Sequence, residues 1–262
     1  MRITVIGAGA MGGATVEGLL KTGVFMPGDI TVSDPAKDVS DRFARKGVNI
    51  TADNAAAAQD ADIVMVFVKP WLVEKVLRGI ASSLRADGQM LIVTAAGVPA
   101  AKVREWTAGT AAATIPLFLV IPNIAIAELC SMTFIVPVGA TDDQTRTVTD
   151  LFDKLGTTLL TEERLLPAGT TLASCGIAYA MRYVRAASEG GVEIGFKADD
   201  AKKIVLQTVK GAVTLLQADG QHPEADIDKV TTPGGVTIKG LNEMEHAGFT
   251  SAVIRGLKAG MR

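Results

Sequence analysis

Three glycines near the amino end of the chain have the spacing of a phosphate-binding turn. Gly7, Gly9 and Gly12 follow the apolar run Ile3–Ile6 and precede a helical pattern over residues 14–21. In this order of strand, turn and helix, the first glycine allows a tight turn and the second lets backbone approach a pyrophosphate. The third lets helix and strand pack closely. The sequence therefore predicts a dinucleotide site; the alternative is a glycine-rich turn without a ligand.

An acidic residue stands where such sites recognise a ribose. Asp34 follows the second apolar run, 30–33, and comes roughly 20 residues after the glycine turn. A carboxylate there bonds both ribose hydroxyls of NAD and repels the 2′-phosphate of NADP, although Lys37 is close enough to offset part of that repulsion. The pattern favours NAD; the alternative is that Asp34 only begins an Asp-Pro turn.

A second glycine loop lies near the other end of the chain. Pro233, Gly234 and Gly235 precede a helical pattern that starts near Thr237. Free N–H groups at a helix N-terminus form an anion site of carboxylate size. Thr237 would cap that helix or face the bound molecule. The alternative is a capped turn that binds nothing.

Strand and helix signals alternate through the first part of the chain, which predicts an α/β fold with a doubly wound, mostly parallel sheet. Val68, Lys69 and Pro70 end the fourth strand and Ala96 and Gly97 follow the fifth, so both turns lie at the carboxyl edge, where ligands bind. Ordinary turn roles remain open for Lys69, and an N-cap role for Asn54. The predicted strands are 3–6, 30–33, 48–51, 62–68, 90–94, 113–120, 133–138 and 157–160.

Strand signals stop after residue 160, and long helical patterns follow at 172–194 and 198–219. We therefore expect a Rossmann-type dinucleotide-binding domain over 1–160 and an all-α domain over 161–262. The helices of the second domain carry apolar and small residues on more than one face. Because so small a domain could not bury them alone, we expect it to pack against a second subunit.

The composition excludes several classes of protein. The chain has 262 residues, 48% of them hydrophobic, and a net charge of −2, which argues against disorder, nucleic-acid binding and membrane binding. With a strand at the amino end and two cysteines lacking metal or redox spacing, we expect no signal peptide, no metal and a cytoplasmic location. His222 and His246 fit structural or solvent-side positions. A hydride-transfer enzyme of this kind would need a substrate that requires little acid–base help.

Together these segments resemble the pyrroline-5-carboxylate reductase family over nearly the whole chain. The most specific segment is the Pro-Gly-Gly-x-Thr-Ile loop, which continues into Glu-x-x-Gly-Phe at the family's spacing. The matching segments are Ile6-Gly7-Ala8-Gly9-Ala10-Met11-Gly12, Val68-Lys69-Pro70, Ala95-Ala96-Gly97-Val98, Pro122-Asn123, Ala178-Tyr179, Gln221-His222-Pro223, Thr232-Pro233-Gly234-Gly235-Val236-Thr237-Ile238 and Glu245-His246-Ala247-Gly248-Phe249.

The resemblance implies reduction of 1-pyrroline-5-carboxylate to L-proline by NADPH or NADH, the last step of proline biosynthesis. It implies an obligate homodimer with interleaved C-terminal helices, often assembled further into a ring of dimers. The cofactor-binding residues it implies are Ile6, Gly7, Gly9, Ala10, Met11, Gly12, Ser33, Asp34, Asn54, Val68, Lys69, Pro70, Ala96 and Gly97.

The resemblance also implies a substrate site. Backbone N–H groups of Gly234, Gly235, Val236 and Thr237 would hold the substrate carboxylate, and the Thr237 hydroxyl would act as the catalytic group at the ring nitrogen. Glu163 stands where the family has a glutamate near the substrate.

Two segments depart from the family pattern, and both line the region between cofactor and substrate. The family usually has Ser-Gly-Ser-x-Pro-Ala-Tyr at 173–179 and Met-Pro-Asn-Thr-Pro at 121–125, where this chain reads Ala-Ser-Cys-Gly-Ile-Ala-Tyr and Ile-Pro-Asn-Ile-Ala. Two alternatives therefore stay open. One is a reductase of another cyclic imino acid or of a small hydroxy or keto acid; the other is a non-catalytic NAD(H)-binding paralogue.

Overall fold

Short runs rich in β-branched residues form the strands of one eight-stranded sheet. The computed structural model describes residues 1–261. The strands are β1 (Ile3–Ile6), β2 (Ile30–Ser33), β3 (Asn49–Thr51), β4 (Ile63–Val66), β5 (Met90–Val93), β6 (Leu117–Ile121), β7 (Ser131–Val138) and β8 (Gly156–Leu160). The α-helices are α1 (Ala10–Lys21), α2 (Lys37–Ala44), α3 (Asn54–Gln59), α4 (Pro70–Ile80), α5 (Ala100–Trp106), α6 (Asp142–Asp153), α7 (Leu166–Gly169), α8 (Gly176–Glu193), α9 (Ala198–Asp219), α10 (Pro223–Lys229), α11 (Val236–His246) and α12 (Phe249–Ala259).

The sheet has the order β3-β2-β1-β4-β5-β6-β7-β8, and every neighbouring pair is parallel except β6 and β7. This confirms the predicted doubly wound, mostly parallel sheet. The chain leaves β1 first toward β2 and later returns to its other side as β4. Because connections diverge at that point, a crevice opens at the carboxyl ends of β1 and β4, where α/β proteins bind ligands.

Each central strand buries side chains on both faces of the sheet. Ile63 and Met65 of β4 belong to one hydrophobic core, and Val64 and Val66 belong to the other. Alternate residues of a strand point to opposite faces, so a continuous apolar run requires helices on both sides. The central strands are therefore covered on both faces, whereas the edge strands β3 and β8 stay partly exposed.

Two predicted starts were wrong by four residues each, whereas the bounds of β4 and β7 differ from the prediction by two residues or fewer. The strand predicted from residue 113 begins at Leu117, because Ala111–Ala113 form a 3₁₀ turn and Pro116 has no N–H to donate to a sheet. The helix predicted from residue 14 begins at Ala10. Gly12 and Gly13 disfavour a helix in isolation, and burial against neighbouring backbone overrides that local preference.

The structure divides into two compact units, Met1–Ile177 and a second unit that begins at Ala178. Strands end at Leu160, and the segment after them still packs with the sheet. The Thr161 N–H donates to the Ile135 carbonyl at 3.0 Å, and Gly169 lies so close to Phe134 that a Cβ there would be 2.9 Å from the ring. The boundary at 160/161 divides the chain by predicted function and stays a prediction. The first compact unit continues past it to Ile177.

Apolar side chains of the second unit stay exposed in a single chain. Along α9 only Ala201 is buried, and Ile204, Val213 and Leu215 are 46%, 48% and 63% exposed. Apolar surface on this scale usually marks an interface. Over residues 1–261, no helix combines the length and apolar character needed to cross a bilayer.

One partly buried cation, Arg104, bonds several backbone carbonyls at the edge of the first unit. The Arg104 guanidinium, on α5, donates to carbonyl oxygens of Ile115 at 2.8 Å, Val138 at 3.0 Å and Ala113 at 3.2 Å. Burial lowers the pKa of this guanidinium from its ordinary value. The bonds join α5 to the segment just before β6 and to the end of β7.

We expect Arg104→Met to lower the free energy of unfolding by about 3 kcal/mol, because several partly buried carbonyls lose their donor at once. Urea denaturation at fixed protein concentration measures the loss. Arg78→Met is the matched control. Arg78 pairs with Glu74 on the exposed side of α4, where an ion pair contributes at most about 1 kcal/mol. Equal losses in the two variants would contradict this role for Arg104.

Candidate functional site

The turn between β1 and α1 has the geometry that its glycines predict. Gly7 has a φ of +87°, and a Cβ there would lie 2.9 Å from the Phe67 carbonyl oxygen. At Gly12 a Cβ would lie 2.0 Å from the Gly7 oxygen, whereas at Gly9 it would meet no atom within 4 Å. Gly7 and Gly12 are thus required by packing, and Gly9 leaves open space in front of the backbone.

The first turn of α1 presents uncapped donors to that space. Gly9 is the N-cap residue, and no side chain bonds the free N–H groups that follow it. These donors and the positive end of the helix dipole favour an anion such as a pyrophosphate. The space and the donors fit a dinucleotide, so this turn can hold the phosphates of one.

Asp34 both shapes the turn and lines the site. One carboxylate oxygen accepts the Ala8 N–H at 2.8 Å, and the other accepts the Ala36 N–H at 2.9 Å. The first bond ties the glycine turn to the end of β2. The turn role and the ribose role are therefore compatible, since each oxygen keeps a further lone pair.

Lys37 is paired with Asp41, and its predicted effect on a 2′-phosphate of NADP stays a prediction. Its ammonium contacts both oxygens of Asp41, at 2.9 and 2.8 Å, one helical turn along α2. The side chain is thus engaged in an exposed i,i+4 ion pair. The charge of Asp34 has no counterion from this lysine.

Asn54 is held by Ser33 from the neighbouring strand end. The Ser33 hydroxyl donates to the Asn54 amide oxygen at 2.6 Å, which leaves the amide NH₂ available as a donor. Asp53 is the N-cap of α3, accepting the N–H groups of Ala55 and Ala56. The N-cap alternative for Asn54 is therefore wrong.

The strand ends enclose a cleft of about 1250 Å³, lined wholly by residues of the first unit. Gly12 and Gly97 are not among its lining residues: Gly12 is buried behind the turn and Gly97 follows Ala96 with a φ of +79°. Contact with a cofactor stays a prediction for all of these residues. The predicted cofactor residues that line the cleft are Ile6, Gly7, Gly9, Ala10, Met11, Ser33, Asp34, Asn54, Val68, Lys69, Pro70 and Ala96.

Sequence reasoning missed part of the lining. One face of α4 contributes Leu72, Lys75, Val76 and Gly79, whose i, i+3, i+4, i+7 spacing marks one side of a helix. Lys75 has no ion-pair partner within residues 1–261. The helical spacing of Lys75 from Leu72 could have indicated that both side chains face the cleft. Thr94 and Thr170 also line the cleft, and nothing in their local sequence marks them.

Glu163 lies away from the cleft lining. Its carboxylate accepts the Ala100 N–H, the first of α5, at 3.1 Å. This bond links the segment after β8 to the end of the β5–α5 connection, which begins with the cleft residues Thr94–Ala96. The bond gives Glu163 a positioning role in this chain; contact with a substrate stays a prediction.

The second glycine loop belongs to the second unit and forms a tight turn. The Gly235 N–H donates to the Thr232 carbonyl at 2.9 Å, with Pro233 second and Gly234 third at a φ of +69°, as a type II turn requires. Gly235 is the N-cap of α11 and no side chain bonds the helix start. Thr237 therefore does not cap, and its half-buried hydroxyl has no bond to the chain between residues 1 and 261.

The two histidines lie at a helix start and on an exposed helix face. His222 accepts the Glu224 N–H at 3.3 Å as the N-cap of α10, and His246 lies 3.6 Å from Glu243 on an exposed helix face. Among residues 1–261, no cluster of three or more His, Cys, Asp or Glu could hold a metal ion.

Models of known protein families match both halves of the chain. Residues 163–262 match the family model described as pyrroline-5-carboxylate reductase dimerisation, and residues 2–97 match the model described as NADP oxidoreductase, coenzyme F420-dependent. The second half is therefore similar to a dimerisation domain, and the first half to an NADP-binding domain.

Among relatives, pyrroline-5-carboxylate reductase 1 of Dictyostelium discoideum is 36% identical over 97% of this chain, which spans 48% of that protein. The enzyme of the same name from Methanosarcina acetivorans is 32% identical over 97% of this chain and 94% of its own length. The crystal structure of Plasmodium falciparum pyrroline carboxylate reductase with NADP bound has a TM-score of 0.89 at 23% identity, covering 100% of this chain and 95% of that one. This last likeness establishes the fold.

Proposed function

Because this chain belongs to the pyrroline-5-carboxylate reductase family, we propose that it reduces the C=N bond of 1-pyrroline-5-carboxylate to give L-proline, in proline biosynthesis. The observation that carries the proposal is the match to reductases of this name over nearly the whole chain. The uncapped helix start behind Gly234 and Gly235 supports it, because such a start suits the carboxylate of an imino acid.

NADPH or NADH is the cofactor of the family, and when bound it supplies the hydride. The cleft residues of this chain fit such a group. The uncapped start of α1 would receive the pyrophosphate, and Asp34 and Asn54 stand at the end of the cleft that would take the adenosine ribose. The ends of β5 and β6 form the opposite end, which leaves that part of the cleft for the nicotinamide.

The substrate side of the reaction needs few catalytic groups. A cyclic imine is readily protonated, and the iminium carbon accepts hydride without a strong acid nearby. The N–H groups of 234–237 would orient the carboxylate, and the unbonded Thr237 hydroxyl would donate to or orient the ring nitrogen. Positioning of this kind can be worth about 7–11 kcal/mol of barrier. Glu163 would act near the substrate, as in the family.

We infer that residues 161–262 form a homodimerisation and substrate-binding domain. The exposed apolar residues of α9 and the match to a dimerisation model support the dimer. Assembly of dimers into a ring and a cytoplasmic location are proposed on the family resemblance and on the free thiols of Cys130 and Cys175.

The decisive experiment incubates the purified chain with 1-pyrroline-5-carboxylate and either NADH or NADPH. We expect oxidation of the cofactor with an equal amount of proline formed. No oxidation above blank with either cofactor would overturn the proposal. The altered segments 121–125 and 173–179 make a substrate panel necessary: faster turnover of a six-membered cyclic imino acid or of a keto acid would assign the alternative reductase. Tight NADH binding without turnover of any substrate would instead identify the chain as a non-catalytic NAD(H)-binding paralogue.

The cofactor preference depends on Asp34. We expect Asp34→Ser to lower the ratio of kcat/KM for NADH to kcat/KM for NADPH by about 10-fold or more, because a charged acceptor for ribose hydroxyls is worth about 1.5–3 kcal/mol. The ratio cancels any general loosening of the glycine turn through the lost Ala8 bond. Asp53→Ser is the control, since that cleft carboxylate only caps α3. An unchanged ratio in Asp34→Ser would leave Asp34 as a turn residue.

A further inference from the structure

The end of the cleft that would take the nicotinamide is lined mainly by apolar groups. It is built from residues 94–96 after β5, Ile121 and Pro122 at the end of β6, and Thr170 and Ser174 from the segment after α7. This end lies on the opposite side of β1 from Asp34, because β5 and β6 follow β4 in the sheet order while β2 lies on the other side. A polar group of a ligand bound here would find few side chains to bond.

Three hydroxyls line this end, and they differ in availability. The Thr170 hydroxyl donates to the Leu166 carbonyl at 2.8 Å. The Thr94 hydroxyl has no hydrogen-bond partner among the described residues, but its oxygen is buried from solvent. Ser174 is half-buried, and its hydroxyl has no hydrogen bond to any part of the chain over residues 1–261. Ser174 therefore offers the hydroxyl that a ligand in this part of the cleft can use.

The backbone that carries Ser174 is fixed. Thr170–Ser174 form a π-helical turn, closed by the Cys175 N–H on the Thr170 carbonyl at 2.9 Å. The Asn123 amide donates to the Ala173 carbonyl at 3.4 Å, which ties the turn to the end of β6. Such single π turns often shape binding sites, because the extra residue redirects side chains. The hydroxyl is thus presented by a supported segment.

We propose that the Ser174 hydroxyl hydrogen-bonds the carboxamide of the bound nicotinamide and so positions the ring. A carboxamide has both a donor and an acceptor, and a hydroxyl can serve either. The residue is this chain's own feature, since the family pattern has glycine at this position. The inference rests on the proposed function only in taking a nicotinamide dinucleotide as the ligand.

The test compares two ligands that differ in the nicotinamide, by calorimetric titration of the full chain. Ser174→Ala should raise the dissociation constant of NADH about 3- to 10-fold, the size of one neutral hydrogen bond. The dissociation constant of ADP-ribose, which lacks the nicotinamide, should not change. Ser188→Ala is the control, because the Ser188 hydroxyl lies outside the cleft lining and donates to the Val184 carbonyl at 2.7 Å; it should leave both constants unchanged.

Three results would overturn the proposal. Equal weakening of NADH and ADP-ribose in Ser174→Ala would mean that the residue only supports the turn. An unchanged dissociation constant for NADH would mean that the hydroxyl does not meet the cofactor, and a raised KM for the imine in that variant would reassign it to the substrate. Because NADH binding is measured without turnover, failure of the chain to reduce pyrroline-5-carboxylate would leave this test intact.

Discussion

Thr237→Ala is expected to lower kcat for 1-pyrroline-5-carboxylate by about 100-fold or more, the range for loss of a positioned proton donor, with the dissociation constant of NADH within about twofold of the parent. The physical reason is local. Thr237 lies in the first turn of α11, beside N–H groups that no side chain caps, and its own hydroxyl makes no bond within residues 1–261. A hydroxyl next to a carboxylate site can reach the ring nitrogen of a bound imino acid.

Steady-state oxidation of the reduced cofactor measures kcat, and calorimetry measures NADH binding. Thr231→Ala is the matched control, because the Thr231 hydroxyl donates to the Ile227 carbonyl at 2.7 Å in the same loop. It should change kcat only slightly. Thr237→Ser keeps the hydroxyl and should restore most of the rate. An unchanged rate in Thr237→Ala would remove Thr237 from the site, and a selective loss of NADH affinity would move it to the cofactor.

Gly9→Ala should raise the dissociation constant of NADH about 10- to 100-fold while the melting temperature stays close to that of the parent. Its φ of −64° is open to alanine, and its Cβ would meet no protein atom within 4 Å. The added methyl group would instead occupy the space through which a pyrophosphate reaches the start of α1. Loss of one hydrogen bond to a charged group costs about 1.5–3 kcal/mol, which corresponds to that range.

Gly12→Ala separates packing from binding. There the Cβ would lie 2.0 Å from the Gly7 carbonyl oxygen, so the turn itself must move. We expect a loss of about 1–3 kcal/mol in the free energy of unfolding, as for other overpacked sites. Thermal and urea denaturation of the two variants provide the comparison. Equal destabilisation by both substitutions, or an unchanged NADH affinity in Gly9→Ala, would contradict a pyrophosphate site at this turn.

The chain's local patterns determined a great deal. Apolar runs of strand length, most of them followed by a turn and a helical period, predicted eight strands and a mostly parallel sheet, because buried parallel strands must be apolar on both faces. They did not single out the antiparallel pair β6 and β7. Glycine spacing predicted the β1–α1 turn for an equally local reason: only glycine tolerates a φ of +87° at Gly7 and the close backbone contact at Gly12. The loop at Gly234 and the helix after it follow the same logic.

Only the tertiary structure decided which residues the polar side chains of the site contact. Asp34 holds the Ala8 N–H, Asn54 is bonded by Ser33, and Glu163 holds the Ala100 N–H. Each of these bonds joins residues well separated along the chain, so periodicity carries no record of it. Lys37 is the opposite case, because its partner Asp41 lies one helical turn away and that i,i+4 spacing can be read from the sequence. Spacing defines elements because helices and strands repeat, whereas the walls of a cleft depend on how the sheet brings distant strand ends together.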